Sequence, residues 1–72
     1  MNQLEQLTEQ YKAKIVSYKK MLDSKEITES EYKELVQDLL DLNKFQGKLK
    51  EEALKVQAAK AVQALSTIAG IV

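Results

Sequence analysis

Cysteine, histidine, proline, tryptophan and arginine are all missing from this chain, and glycine occurs only at positions 47 and 70. Each absence closes off a class of protein. Without Cys or His the usual zinc, iron and redox ligands are gone, as are the common nucleophile–base pairs. Catalysis would have to rest on carboxylates, lysines, hydroxyls or tyrosines, so the expectation is a non-enzyme with no cofactor and no metal. No disulfide framework can form, and the start Met-Asn-Gln-Leu-Glu-Gln is polar where a signal peptide carries a basic then an apolar run. A cytoplasmic protein is expected. So little Gly and Pro, with few β-branched residues, leaves no punctuation for a multi-strand fold. Helix is what remains.

The clearest helix signal is Ile27-Thr28-Glu29-Ser30-Glu31-Tyr32. Thr28 can accept from the backbone N–H of Glu31 while the Glu31 carboxylate reaches back to the N–H of Thr28, with Ile27 and Tyr32 as a hydrophobic staple. A helix therefore starts at residue 29. Before it, Leu4, Leu7, Tyr11, Ile15, Tyr18 and Leu22 recur at steps of three and four, one apolar stripe on a helix over about 3–22, widened by Val16 and Met21. The short connection Asp23-Ser24-Lys25-Glu26 sets the two helices antiparallel.

The second helix presents Tyr32, Leu35, Val36, Leu39 and Leu42 as one broad face, with Leu40 to its side. Leu35 and Leu39 are expected at the centre of its contact with the first helix, opposite Ile15 and Tyr18. Near Gly47 the helix either ends or bends: glycine costs about 1 kcal/mol in a helix interior, and Asn43 with Gln46 can form a second capping box. Beyond it a new stripe begins, Leu54, Ala58, Ala61, Leu65, Ile68 and Val72, turned by roughly 100° from Leu35 if the helix ran straight through. A break satisfies both stripes inside one molecule. The expectation is all-α: an antiparallel hairpin plus a third helix, with helices at about 3–22, 29–45 and 48–69 in one domain spanning 1–72.

Eleven lysines balance eleven carboxylates, but unevenly. Residues 1–22 carry +2, residues 23–43 carry −5 and the remainder +3. An acidic second helix is expected to attract basic neighbours. Lys44, Lys48 and Lys55, at steps of four and seven, are the candidate stripe for phosphate, with Lys12 and Lys19 secondary; the neutral total argues against nonspecific nucleic-acid binding as the main activity. The spacing of Glu31, Glu34, Asp38 and Asp41 at threes and fours is that of a solvated acidic face rather than a cation site. Tyr11, Tyr18 and Tyr32 read as core residues rather than base-stacking platforms. No bilayer span is expected: about 20 apolar residues are needed, and that length counted back from Val72 takes in Lys55 and Lys60.

Residues 22–35, Leu-Asp-Ser-Lys-Glu-Ile-Thr-Glu-Ser-Glu-Tyr-Lys-Glu-Leu, resemble the short helical oligomerisation motif called SHOCT, whose turn reads D-S-G-x-I-T-E-E-E-F/Y. The resemblance covers about 18–40. It departs at Lys25, where the family commonly has Gly, and at Ser30, where it commonly has Glu. It implies association through a helical hairpin and no catalysis. Lysine as the sole basic residue suits an AT-rich genome such as a bacteriophage's, where small proteins commonly serve as assembly or accessory factors.

Size points the same way. A domain of 60–70 residues buries only about 60% of its unfolded surface, which leaves its core marginal without a disulfide, a metal or a partner. The function expected is therefore a helical protein–protein interaction or oligomerisation module, associating with itself or a larger protein through Leu54, Ala58, Ala61, Leu65 and Ile68. The alternative is an accessory nucleic-acid-binding bundle serving a helicase or recombination enzyme through Lys44, Lys48 and Lys55.

Overall fold

A computed structural model describes residues 2–70. The chain forms four helices, α1 (Gln3–Asp23), α2 (Glu29–Leu39), α3 (Leu42–Gly47) and α4 (Glu52–Ala69), and no strand among the described residues. The fold is a small all-α bundle, as the composition requires.

α1 begins where Asn2 caps it, its side chain accepting from the N–H of Glu5 at 2.8 Å. The helix buries Leu7, Tyr11 and Ile15 on one stripe, with Leu4, Tyr18 and Leu22 half-buried along it. Val16 and Met21, expected to widen that stripe, are instead 42% and 36% exposed. They sit on opposite flanks of the stripe.

α1 ends in a Schellman turn, in which the N–H of Glu26 donates to the carbonyl of Met21 at 2.9 Å and that of Lys25 to Leu22 at 3.1 Å. The turn puts Lys25 at φ 65°, in the left-handed region. A side chain there costs about 1–2 kcal/mol, which is why glycine usually holds this position. Lys25→Gly is expected to stabilise the fold by about 0.5–1 kcal/mol, since glycine's greater freedom in the unfolded chain offsets part of the relief. A urea melt that moves the other way would show that the turn has another conformation.

The capping box then starts α2 as expected. The N–H of Thr28 donates to the Glu31 carboxylate at 3.0 Å, and the N–H of Glu31 donates to the Thr28 hydroxyl at 3.2 Å. Tyr32 and Val36 are buried while Leu39 is half-buried and Leu35 is 37% exposed. The centre of the hairpin is thus Tyr32–Val36, one position round from the expected Leu35–Leu39 pair.

The second helix does not run to residue 45. It stops at Leu39, and Asp41 caps a new six-residue helix by accepting from the N–H of Lys44 at 3.1 Å. Asn43 and Gln46 are therefore inside α3 rather than at its cap. The reason is Phe45, the chain's one phenylalanine. Nine residues past Val36, on a straight helix at about 100° per residue, its side chain would point half a turn away from the core. The break at Leu40–Asp41 swings it inward, and Phe45 becomes fully buried in the core cluster that also holds Leu40 and Leu49. Leu42, expected on the core face, is left 37% exposed by the same break.

The third long helix starts at Glu52 rather than 48, because residues 48–51 form the connection. Gln3 clasps that connection from both sides. Its amide donates to the Lys48 carbonyl at 2.8 Å, and its carbonyl accepts from the N–H of Lys50 at 2.9 Å. At the opposite end, the Lys19 ammonium donates to the carbonyl of Ile68 and the Tyr32 hydroxyl donates to that of Ala69 at 2.8 Å. α4 therefore runs parallel to α1, and α2 runs down between their ends. α1 packs against both, and α3 closes the open end of the hairpin against α4. The ion pairs among the described residues, Lys44–Asp38 and Lys55–Glu52, do not join α1 to α2. Apolar packing, not the expected attraction between charged helices, holds the hairpin.

Tyr32 carries a pH signature. Burial raises its phenol above the usual 10.0, because the ionised form would lose its water; the neutral phenol donates to the carbonyl of Ala69. A raised pKa in the folded state means that the contribution is intact below the unfolded value and is lost as pH climbs through the folded one. Tyr32→Phe, leaving that carbonyl without a donor, is expected to cost about 1 kcal/mol at neutral pH. Urea melts from pH 9 to 11 should fall more steeply for the natural chain than for the variant, and parallel curves would refute the assignment.

Candidate partner-binding face

Three of the five residues expected to meet a partner are turned inward. Leu54, Ala58 and Leu65 are 7%, 0% and 0% exposed, lying along α4 where it packs on α1. Ala61 is half-buried and Ile68 is 37% exposed. Val72, the end of that stripe, lies outside the described residues. The stripe is occupied within the chain, and the smaller Ala69 takes the buried position next to Ile68.

The candidate lysines are not gathered into one stripe. Lys44 pairs with Asp38 at 3.0 Å, and that hydrogen-bonded carboxylate raises its pKa. Lys48 stands over the Tyr11 ring, 5.0 Å from its centroid, with Lys14 at 5.7 Å. Lys55 lies across the break on α4, 3.4 Å from Glu52. The acidic row is similarly committed: Glu31 completes the capping box, Asp38 holds Lys44 and Asp41 caps α3. No group of three or more carboxylates among the described residues is placed to hold a metal ion.

What the fold leaves uncovered is a different surface. A groove of about 500 Å³ runs between α1, α2 and α3, lined by the apolar bodies of Tyr11, Tyr18, Leu35 and Leu39 and by Lys14, Lys44, Lys48 and Asp38. Leu35 is also shared with a shallower depression on the outer side of α2, bounded by Ile27, Glu31 and Glu34. Met21 follows Lys14 by seven residues and Tyr18 by three, hence on the same side of α1. A second groove, about 610 Å³, lies between α1 and α4, lined by Leu4, Thr8 and Ala61 with Glu5, Glu9 and Lys60 at its edges.

The α1–α2 face was hidden in the sequence because Leu35 and Leu39 share the apolar period of α2. Periodicity gives the width of an apolar face but not how much of it a neighbour covers. The phase of Phe45 was the available signal, since burying it demands the break that draws α2's contact toward Val36. No helix among the described residues is long and apolar enough to cross a membrane. No family model, curated protein or solved structure matches this chain.

Proposed function

We propose that the chain is a non-enzymatic helical interaction module, acting in the cytoplasm as an assembly or accessory factor by associating with itself or a larger protein. The observation that carries this reading is the open α1–α2 groove on the outside of an otherwise satisfied bundle. Every buried side-chain polar atom among the described residues has a partner, yet Tyr11, Tyr18, Leu35 and Leu39 line one open groove edged by lysines, and Leu35 there is 37% exposed. Apolar surface rimmed by charge marks protein–protein contacts. The Schellman turn supports the resemblance to the SHOCT motif, since the position where that family commonly has glycine is the one this chain bends into the left-handed region.

Phosphate binding has less support. Two of its three lysines already neutralise carboxylates, and the third is stacked on a ring. The test is lysine-directed crosslinking in the native cell followed by mass spectrometry. Intermolecular links from Lys14 or Lys48 are expected, to a second copy or to a larger protein. Links confined to single chains would overturn the reading.

A further inference from the structure

We propose that the α1–α2 face is where a second copy of this chain docks, antiparallel, about a two-fold axis passing near Leu35. The proposal rests on the interaction-module reading and deepens it by naming the face and its occupant.

Charge points to the occupant. The groove holds Lys14, Lys44 and Lys48 with Asp38 at its α3 end, where Asp38 is paired with Lys44 and the excess is basic; the adjoining depression, which shares Leu35 and Asp38 with it, carries Glu31 and Glu34 near the start of α2. Leu35 lies between the poles and is 37% exposed. A half-turn about an axis at Leu35 lays the basic pole of one copy over the acidic pole of the other, twice, and brings the two apolar strips together. Such a surface is self-complementary in the way a closed two-fold dimer requires. A wholly acidic partner would meet Glu31 and Glu34, and a wholly basic one would meet Lys14 and Lys48, whereas a copy of the same face satisfies both poles at once. The dimensions allow it. At 39 × 20 × 17 Å, a long side of the molecule has an outline near the roughly 800 Å² per partner that a stable interface buries.

Sedimentation velocity on the full chain across micromolar concentrations tests this, with circular dichroism to confirm that each variant stays helical. The natural chain is expected to dimerise, and to do so less well as salt rises. Lys14→Glu with Lys48→Glu should weaken the dimer at least about tenfold, as should Glu31→Gln with Glu34→Lys, because attraction becomes repulsion at both poles. Glutamine at 31 keeps the capping box. An equimolar mixture of the two double variants should recover most of the affinity, since their poles are then opposite again. Leu35→Asp, at an exposed position, should abolish dimerisation with helicity intact.

A dimer indifferent to all of these, or one lost on Ala61→Glu in the α1–α4 groove, would overturn the assignment of the face while leaving the interaction reading in place. A chain that stays monomeric at high micromolar concentration yet crosslinks to a different protein would overturn the second copy as occupant, again sparing that reading. Monomeric protein with no intermolecular crosslink would overturn both.

Discussion

Phe45→Ala is expected to leave the chain largely unfolded in dilute solution. The ring is fully buried and meets Tyr11 edge to face, with centroids 5.0 Å apart and planes at 88°. Truncating a buried Phe to Ala costs about 3–5 kcal/mol, while the whole stability of a chain this long is about 4–11 kcal/mol at 0.05–0.15 kcal/mol per residue. The position magnifies the loss. α3 has only six residues, far too few to be helical unaided, so Phe45 is what ties it to the bundle. Without that anchor the break at Leu40–Asp41 has no reward, and Tyr11 loses the ring it meets edge to face. Circular dichroism and urea melts measure this. Phe45→Leu should keep most of the stability, because volume and apolarity are largely retained, and a loss below about 1 kcal/mol for Phe45→Ala would mean that α3 is not part of the core.

Elements whose signals are local were legible from residues alone. The capping box at Thr28–Glu31 depends on four consecutive positions, and the α1 stripe on a strict period, so both could be read without knowing what packs where. The end of α2 could not be read from the same features. Leu35, Leu39, Leu42, Leu49, Ala53 and Val56 keep helical spacing through the break, and two competing caps, Asp41 and Asn43, stand two residues apart. What decides between them is tertiary: Asp41 turns Phe45 inward, Asn43 would not. Lys25 gave a related signal that could be noticed but not interpreted. Its departure from glycine in the SHOCT-like turn marks the one non-glycine residue with positive φ among those described.

The candidate site failed to emerge for a different reason. The α4 stripe and the α2 stripe are equally apolar in sequence, so either could serve as core or as contact surface. Packing chose by size and reach. α4 runs parallel to α1 and needs a close approach, which Ala58 and Ala69 permit, and its stripe is consumed inside the molecule. α2 is shortened by the break, so its Leu35 edge stays free. The proposed partner face is therefore a remainder, set by which apolar residues the chain fails to cover, and no single-helix pattern encodes it.

That partition predicts opposite behaviour for two neighbours on α4. Leu65→Ala is expected to cost about 2–5 kcal/mol, the range for emptying a fully buried aliphatic position, because Leu65 is 0% exposed. α4 contributes Leu54, Ala58, Leu65 and Ala69 to a core of twelve residues, so loosening it undoes the bundle and not only its own helix. The Tyr32–Ala69 hydrogen bond at 2.8 Å would be lost in the same step. Ile68→Ala, at a site 37% exposed, removes less buried surface and should cost under about 1 kcal/mol. Thermal melts followed at 222 nm separate the two. For a domain of this size each kcal/mol moves the midpoint by about 4–8 °C, so Leu65→Ala should lie at least about 4 °C below Ile68→Ala. Equal midpoints would mean that α4 is held by Ile68 as much as by Leu65, and that the stripe along α4 is turned one position further round than Ala58 and Leu65 place it.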